Sequence, residues 1–318
     1  MTTDIIVGDC LEAMRSMPER SIHCCVTSPP YFGLRDYGHD GQIGLEPTPD
    51  EFVAALVSVF REVRRVLRDD GTLWLNLGDS YTSGGRATRA PDSKHEGARD
   101  MSFRAQTPNG LKQKDLIGIP WRVAFALQAD GWYLRQDIIW AKPNPMPESV
   151  RDRCTKAHEY IFLLSKSPSY YFDHEVIKEQ SVTNDPRRPY TSNGAKQLDG
   201  RAEWKSGERR DGGDFSKRNR RSVWTVTTKP FKGAHFATFP PDLIEPCILA
   251  GCPEGGTVLD PFGGAGTTGL VAERHGRNAI LCELNPEYAA LAQARIEAAR
   301  PKPKPVVPQS DLFAEAAL

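Results

Sequence analysis

A glycine-rich turn near the carboxyl end places the strongest constraint on how this chain can fold. The segment 258–269 ends a predicted strand and opens a predicted helix, and Gly264, Gly266 and Gly269 in it have the G-x-G-x-x-G spacing. In that pattern glycines permit a tight turn, close approach of a ligand and close helix packing. A second predicted strand ends at Glu283, at the distance expected for a carboxylate that holds ribose hydroxyls. The turn therefore predicts a nucleotide-like cofactor.

The position of this turn limits which cofactor fits. A fold that binds NAD or FAD needs two mononucleotide-binding halves, but only one predicted helix and a Pro-rich tail follow Glu283. The strands that complete the sheet must therefore come earlier in the sequence, in a permuted order. A dinucleotide oxidoreductase is disfavoured for the same reason.

Apolar runs typical of strands alternate with helical patterns along most of the chain. This alternation predicts an α/β fold with a doubly wound, mainly parallel sheet of seven strands. One helix is expected from Thr48, its cap, to Gly71, where it stops, and another is expected after the cap Asn285. A third is expected near 242–250. The predicted strands are 4–7, 22–27, 72–77, 133–140, 159–164, 256–260 and 278–282.

Charge is distributed unevenly along the chain. The 41 Lys and Arg residues balance the 41 Asp and Glu residues, so the whole chain has no net attraction for a polyanion. Two stretches rich in Gly, Ser, Asn and Pro interrupt the alternation, at 82–115 and 174–232. The first has seven basic against four acidic residues, and the second has 14 against eight. These insertions are therefore the candidate nucleic-acid surfaces, although solvated loops would have the same composition.

Several features favour a cytoplasmic, unprocessed protein. The seven cysteines include no Cys-x-x-Cys pair, which fits a reduced compartment. The amino terminus lacks a signal-peptide pattern, and no stretch approaches the roughly 18 apolar residues of a membrane helix. We therefore expect no membrane association. The histidines have no metal-ligand spacing, so we also expect no metal.

A proline-rich turn follows the second predicted strand. Strand 22–27 runs directly into Ser28, Pro29, Pro30 and Tyr31. Ligands in open α/β sheets bind at the carboxyl ends of strands, so this turn and the glycine turn should face the same crevice. A turn that merely ends the strand is the alternative.

The segment Thr27–Tyr31, TSPPY, followed far downstream by Asp260–Gly264, DPFGG, resembles the amino-group DNA methyltransferases, which act on cytosine N4 or adenine N6. The order of the two motifs is similar to the permuted group of that family known as beta. The resemblance implies a Rossmann-like class I methyltransferase fold, S-adenosylmethionine as cofactor and double-stranded DNA as substrate. Further matching segments are Gly8–Cys10, Trp140–Pro145, His158–Tyr160, His235–Pro240 and Glu283–Asn285.

The resemblance assigns the chemistry to the proline-rich turn. An exocyclic amine is a poor nucleophile, because its lone pair is delocalised into the ring, so hydrogen-bond acceptors must return electron density to nitrogen. The Ser28 hydroxyl and the Pro29 carbonyl are the candidate acceptors, Pro30 helps to fix that carbonyl, and Tyr31 is the candidate stacking surface for a flipped base. Serine before Pro-Pro favours cytosine N4 over adenine N6. An amino group of RNA or of a protein remains an alternative substrate.

The same resemblance assigns cofactor contacts. Asp9 is expected near the adenine, Glu283 at the ribose and Thr238 near the methionine end. Asp9 and Asn285 have an alternative interpretation as caps of a strand end and of a helix. The full set of expected cofactor residues is Asp9, Thr238, Asp260, Phe262, Gly264, Gly266, Glu283 and Asn285.

These assignments divide the chain into four parts. Residues 1–173 form the catalytic half, 174–232 the target-recognition insertion, 233–299 the cofactor-binding half and 300–318 a flexible tail. Within the insertion, the aromatic residues interleaved with basic ones favour DNA contact, and Arg218, Arg220 and Arg221 are the first candidates. A solvated charge cluster is the alternative. A homodimer and a cognate restriction enzyme remain open as partners.

Two rival functions explain less of the sequence. A cytosine C5 methyltransferase needs an activated cysteine in a Pro-Cys loop after the glycine motif, but Pro246-Cys247 precedes that motif and lies in a predicted helix. We expect Cys247 to be buried packing. A non-catalytic nucleic-acid-binding module would explain the basic insertions but not the cofactor turn.

Overall fold

The computed structural model describes residues 1–34, 38–39, 41–82, 107, 110–181, 216–229 and 239–300. Most of the predicted insertions 82–115 and 174–232, and the tail from 301, lie outside these ranges. The helices are α1 (Cys10–Arg15), α2 (Pro49–Val66), α3 (Ile119–Ala129), α4 (Pro241–Gly251), α5 (Thr267–Arg274) and α6 (Pro286–Ala299). The strands are β1 (Thr3–Val7), β2 (Ile22–Thr27), β3 (Leu67–Leu77), β4 (Tyr133–Ala141), β5 (His158–Ser165), β6 (Glu179–Gln180), β7 (Lys217–Arg218), β8 (Val223–Thr225), β9 (Thr257–Asp260) and β10 (Asn278–Glu283).

One large sheet organises the molecule, with strand order β1-β10-β9-β2-β3-β5-β4-β8. The first five strands in this order are parallel, β5 is antiparallel to both of its neighbours, and β8 is parallel to β4. The predicted mainly parallel α/β sheet is confirmed, and all seven predicted strands are present.

The predicted number of strands is wrong, because the described residues already form eight strands in the sheet. The additional strand, β8, lies inside the segment predicted as an insertion and pairs with the edge of β4. Its central residue, Trp224, is buried, whereas both neighbours are exposed. Three residues are too few for an apolar alternation to be recognised in a sequence.

Helices cover both faces of the sheet, as a doubly wound fold requires. The buried residues of α1, α2 and α3 form one core, and those of α4 and α5, with Ile296 of α6, form the other. Adjacent strand residues alternate between the two cores, because side chains in a strand point to opposite faces. In β2, Cys25 joins the first core and Cys24 the second, and Leu73 and Trp74 of β3 divide in the same way.

The caps of two predicted helices are confirmed, but one predicted end is wrong. The Thr48 hydroxyl accepts a hydrogen bond from the Glu51 N–H at 3.2 Å, as expected for α2. This helix ends at Val66 rather than at Gly71. Leu67 already has an extended backbone and is paired with Ile22 in the sheet, so strand pairing in a fully buried position ends the helix.

The strand directions determine where a site can form. Strands β1, β2, β3, β9 and β10 are parallel, and β4 has the same direction because β5 is antiparallel to both β3 and β4. The carboxyl ends of these six strands therefore meet at one edge, where β5 begins. Among the helices of the described ranges, none is long and apolar enough to cross a membrane.

Candidate active site

A cavity of about 1000 Å³ opens at the carboxyl edge of the sheet. Both predicted motifs line it, although they lie more than 200 residues apart in the sequence. Gly266 is not part of the lining, and Thr238 lies outside the described residues. The predicted site residues that line the cavity are Asp9, Ser28, Pro29, Pro30, Tyr31, Asp260, Phe262, Gly264, Glu283 and Asn285.

Asp260 joins the two motifs from within the protein. Its carboxylate accepts hydrogen bonds from the hydroxyls of Thr27 and Thr268, each at 2.6 Å, and from the Phe262 N–H at 3.1 Å. The residue is only 1% exposed, and burial raises the pKa of Asp260 to about 6, although the three hydrogen bonds act in the opposite direction. Asp260 therefore fixes the ends of β2 and β9 beside each other, and its carboxylate oxygens are used by protein donors.

The glycine turn and Glu283 form one unit. The Gly264 N–H donates to Glu283 Oε2 at 2.7 Å, and the Asn285 N–H donates to Oε1 at 2.9 Å. Burial raises the pKa of the Glu283 carboxyl above its usual value. Gly266 begins α5 with a φ of 73°, and a Cβ there would lie 2.8 Å from the Ala292 Cβ. The middle glycine of the motif thus permits close helix packing, and its contact with the cofactor stays a prediction.

Asp9 and Asn285 are both helix caps. Asp9 Oδ1 accepts from the N–H groups of Leu11 and Glu12 at the start of α1. Asn285 Oδ1 accepts from the Glu287 N–H at 2.8 Å at the start of α6. The cap interpretation is confirmed for Asn285, whereas Asp9 caps the start of helix α1 rather than the end of a strand. Both residues also line the cavity, so the predicted contacts with a cofactor are compatible with capping.

The proline-rich turn presents different groups to the same cavity. Ser28 lies directly after β2, and its hydroxyl makes no hydrogen bond to any of the residues that the structure describes. The Tyr31 hydroxyl instead donates to Glu159 Oε2 at 2.6 Å. The turn therefore offers the cavity an oxygen acceptor beside a fixed aromatic ring.

Three residues around Tyr31 were not assigned a role from the sequence. Lys142 forms an ion pair with Glu159 Oε1, and Asn76 Nδ2 donates to Glu159 Oε2 at 3.3 Å and to the Tyr160 carbonyl at 3.0 Å. All three line the cavity. Asn76 could have been noticed as a buried polar residue in the apolar end of β3. Lys142 and Glu159 lie in segments that match the family, but only the sheet topology brings them together.

The lining fits S-adenosylmethionine in size and in chemistry. The carboxylates of Asp9 and Glu283 lie at the part of the cavity formed by β1 and β10, where hydroxyl and amino donors would be held. Phe262 contributes apolar surface in the same region. In the described part of the chain, no group of three or more His, Cys, Asp or Glu residues could hold a metal ion.

The predicted DNA-binding arginines lie outside the cavity lining. The guanidinium groups of Arg218 and Arg221 both donate to Glu179 Oε1, at 2.9 and 2.7 Å, beside the short ladder of β6 and β7. Arg220 lies over the Trp224 ring at 4.7 Å, with a buried Nε. Only Arg221 of the three is exposed. Their contact with DNA stays a prediction.

The glycine turn and the proline-rich turn thus meet in one cavity at the carboxyl edge of a doubly wound sheet. A family model described as DNA methylase, of the N6/N4 amino type, matches residues 22–294. The chain belongs to this family, and it is a DNA methyltransferase.

Curated relatives agree with this assignment over nearly the whole chain. The Type II methyltransferase M.SmaI of Serratia marcescens is 54% identical over 292 residues, which cover 92% of this chain and 90% of that protein. The Type II methyltransferase M.Cfr9I of Citrobacter freundii is 53% identical over 290 residues, covering 91% and 86%. The predicted resemblance to the amino-group family is thereby confirmed.

Solved structures confirm the fold and the cofactor. The PvuII DNA methyltransferase (cytosine-N4-specific) has a TM-score of 0.62 at 21% identity, covering 94% of this chain and 91% of that one. A putative DNA modification methylase from Thermus thermophilus, complexed with S-adenosyl-L-methionine, has a TM-score of 0.59 at 25% identity, covering 94% and 95%. The predicted Rossmann-like methyltransferase fold and S-adenosylmethionine are thus confirmed.

Proposed function

We propose that this enzyme methylates N4 of a cytosine that is flipped out of double-stranded DNA. The observation that carries the proposal is that Ser28, with a hydroxyl free of partners among the described residues, lies in the same cavity as Glu283 and the glycine turn. A base inside a duplex cannot reach such a cavity, so it must leave the stack.

The chain's own groups prepare the amine for attack. The Ser28 hydroxyl oxygen and the Pro29 carbonyl accept hydrogen bonds from the amino group and return electron density to its nitrogen. Pro29 and Pro30 have fixed φ angles, which hold this carbonyl in place. Bound S-adenosylmethionine supplies the electrophilic methyl group. Tyr31 stacks on the base, and positioning rather than a strong base carries the rate.

The first residue of the motif supports cytosine as the target. The resemblance to the amino-group family associates serine at this position with cytosine N4, and aspartate or asparagine with adenine N6. Ser28 occupies that position here.

The cofactor is held at the β1, β9 and β10 side of the cavity. Glu283 accepts from the ribose hydroxyls, Asp9 lies at the adenine and Phe262 packs against the ligand. Thr238 completes the methionine end. The location of the Glu283 carboxylate, which the Gly264 N–H holds at 2.7 Å, supports this arrangement.

Residues 174–232 recognise the target sequence, and a cognate restriction enzyme cleaves the same sequence when it is unmethylated. Type II methyltransferases among the curated relatives support the restriction-modification setting. The basic excess of the segment, 14 against eight charges, supports contact with phosphates.

The proposal is tested by methylating plasmid DNA with the purified enzyme and separating the nucleosides by mass spectrometry. We expect N4-methylcytosine, and Ser28→Ala should lower kcat by about 100-fold, the scale seen when one charge-stabilising hydrogen bond is removed from an active site. N6-methyladenine in place of N4-methylcytosine would overturn the assignment of the base. Full activity of Ser28→Ala would overturn the assignment of the turn.

A further inference from the structure

Two segments that match the family have no role in the chemistry described so far. Trp140–Pro145 spans the carboxyl end of β4, and His158–Tyr160 begins β5. Since β4 and β5 are antiparallel, the end of one strand lies beside the start of the other, with Ala141 paired to His158. The pairing brings Lys142 and Glu159 together at the cavity, next to Tyr31.

Both oxygens of the Glu159 carboxylate have donors. Oε1 accepts from Lys142, and Oε2 accepts from the Tyr31 hydroxyl and from Asn76 Nδ2. The side chains of Lys142 and Glu159 are only 17% and 15% exposed. An ion pair withdrawn from water to this extent contributes little net stability, because desolvation offsets the attraction. Stability therefore does not explain why this ion pair lies at the hydroxyl of Tyr31.

One edge of the Tyr31 ring is restricted by backbone. Gly78 follows β3, and a Cβ at this position would lie 2.4 Å from Tyr31 Cε2 and 3.0 Å from Cδ2. Any side chain here would displace the ring. Tyr31 is therefore restrained by the Gly78 backbone along its Cδ2–Cε2 edge and by the Glu159 carboxylate at its hydroxyl.

The carboxylate is itself held in place. Lys142 Nζ lies 4.1 Å from the centre of the Trp140 ring, and Trp140 Nε1 donates to the Val226 carbonyl at 2.8 Å. Asn76 Nδ2 is fixed in addition by the Tyr160 carbonyl. A group with this many restraints can define the position of a ring more accurately than a solvent-exposed partner could.

We propose that Glu159 is a positioning residue, which uses the Lys142 ion pair and the Asn76 amide to fix the Tyr31 ring and thereby the target amine at Ser28. The inference rests on the proposed contact of Tyr31 with the base, and it holds for cytosine or adenine. Glu159 acts through the Tyr31 hydroxyl and does not touch the reacting atoms.

The experiment compares Glu159→Gln, Tyr31→Phe and the double variant in total methyl transfer from S-adenosylmethionine to DNA. Each single variant should lower kcat by about 10- to 100-fold, the effect of a misplaced reacting group, with little change in KM for S-adenosylmethionine. Because both act on one contact, the double variant should be no slower than the slower single variant. Losses that multiply in the double variant would overturn the proposal.

Glu273→Gln is the matched control, since Glu273 is 11% exposed and forms an ion pair with Arg300 at 2.7 Å, outside the cavity lining. Its kcat should stay at the wild-type value. An equal loss of kcat in Glu273→Gln would assign the effect to a lost ion pair in general.

Gly78→Ala tests the same ring without altering the carboxylate. It should lower kcat in the wild-type background and have no further effect on Tyr31→Ala, where there is no ring to displace. An equal fractional loss in both backgrounds would contradict the proposal even if Glu159 variants fold poorly. A wild-type enzyme that methylates no DNA would refute the proposed function instead, so the two failures are distinguishable.

Discussion

Asp260 affects the stability of the folded protein in two opposite ways. Its hydrogen bonds stabilise the fold, whereas the burial of its negative charge destabilises it. Three donors hold the carboxylate in a position that is 1% exposed, yet burial raises the pKa of Asp260 from 3.8 to about 6. The folded protein thus binds this proton more tightly than the unfolded chain does. Stability linked to Asp260 is therefore greatest below about pH 4, and it is lost as the pH rises through about 6.

Asp260→Asn removes this titration and should change how stability depends on pH. The free energy of unfolding of the wild type, minus that of Asp260→Asn, should fall by about 2 to 3 kcal/mol between pH 4 and pH 8, because the pKa difference is about two units. Urea denaturation across this range measures the difference. Asp50→Asn, at a side chain that is 89% exposed, serves as the control. A difference that stays constant with pH would contradict the pKa.

The sequence predicted those strands and helix caps that depend on a local pattern of residues. Seven strands have recognisable apolar runs, and Asn285 and Thr48 are recognisable caps, since their partners lie within a few residues. The end of α2 and the presence of β8 were not predictable, because Leu67 and Trp224 adopt their conformations through pairing with distant strands. Non-local pairing has no local signature.

In the candidate site, too, residues in local motifs were predictable and contacts that depend on non-local pairing were not. Ser28 and Glu283 stand at the ends of predicted strands in motifs that are contiguous in sequence, so their common location could be predicted. Glu159 contacts Tyr31 across 128 positions of sequence. That contact requires the order β2-β3-β5-β4 and the antiparallel direction of β5, neither of which the chain's periodicity contains.

The arginines beside β7 now divide by environment, which sharpens the prediction for DNA binding. Arg221 is 65% exposed and paired with Glu179, so Arg221→Ala should weaken binding to all DNA and reduce the slope of log affinity against log salt by about one unit. Fluorescence anisotropy at several salt concentrations measures the slope.

Arg61→Ala is the control for Arg221→Ala, because Arg61 is 64% exposed, pairs with Asp130 and lies outside the cavity lining. Equal slopes for the two variants would place recognition elsewhere, with the 82–115 insertion as the next candidate. Arg220, which has a buried Nε and packs on Trp224, should affect stability more than the salt slope.

At the scale of the whole molecule, the cavity joins strands from both ends of the chain. Val7 pairs with Glu283, and the Gly8 N–H donates to the Glu283 carbonyl at 2.9 Å. A ligand held at this junction binds only the folded protein, so ligand binding and global unfolding are thermodynamically linked.

S-adenosylmethionine at about 100 times its Kd should raise the free energy of unfolding by about 2.7 kcal/mol. Glu283→Gln should lose most of this increment at the same ligand concentration, since the carboxylate is the proposed ribose acceptor. Glu287→Gln, in the exposed first turn of α6, should keep it. Thermal unfolding with and without ligand measures the effect, and an unchanged increment in Glu283→Gln would remove Glu283 from the cofactor site.

Under the proposed assignment of target recognition to residues 174–232, the short ladder of β6 and β7 has a consequence for how target preference can diverge. Glu179 pairs with Arg218 and Gln180 with Lys217, so the polypeptide leaves the scaffold and returns to it at neighbouring points. Lengthening a loop whose ends are already joined costs little additional closure entropy. Segments of different length and sequence can therefore be exchanged between β6 and β7 without shifting Ser28 or Glu283. If this segment reads the target, as proposed, a lineage of such enzymes can acquire new target sequences while its methyl-transfer residues stay unchanged.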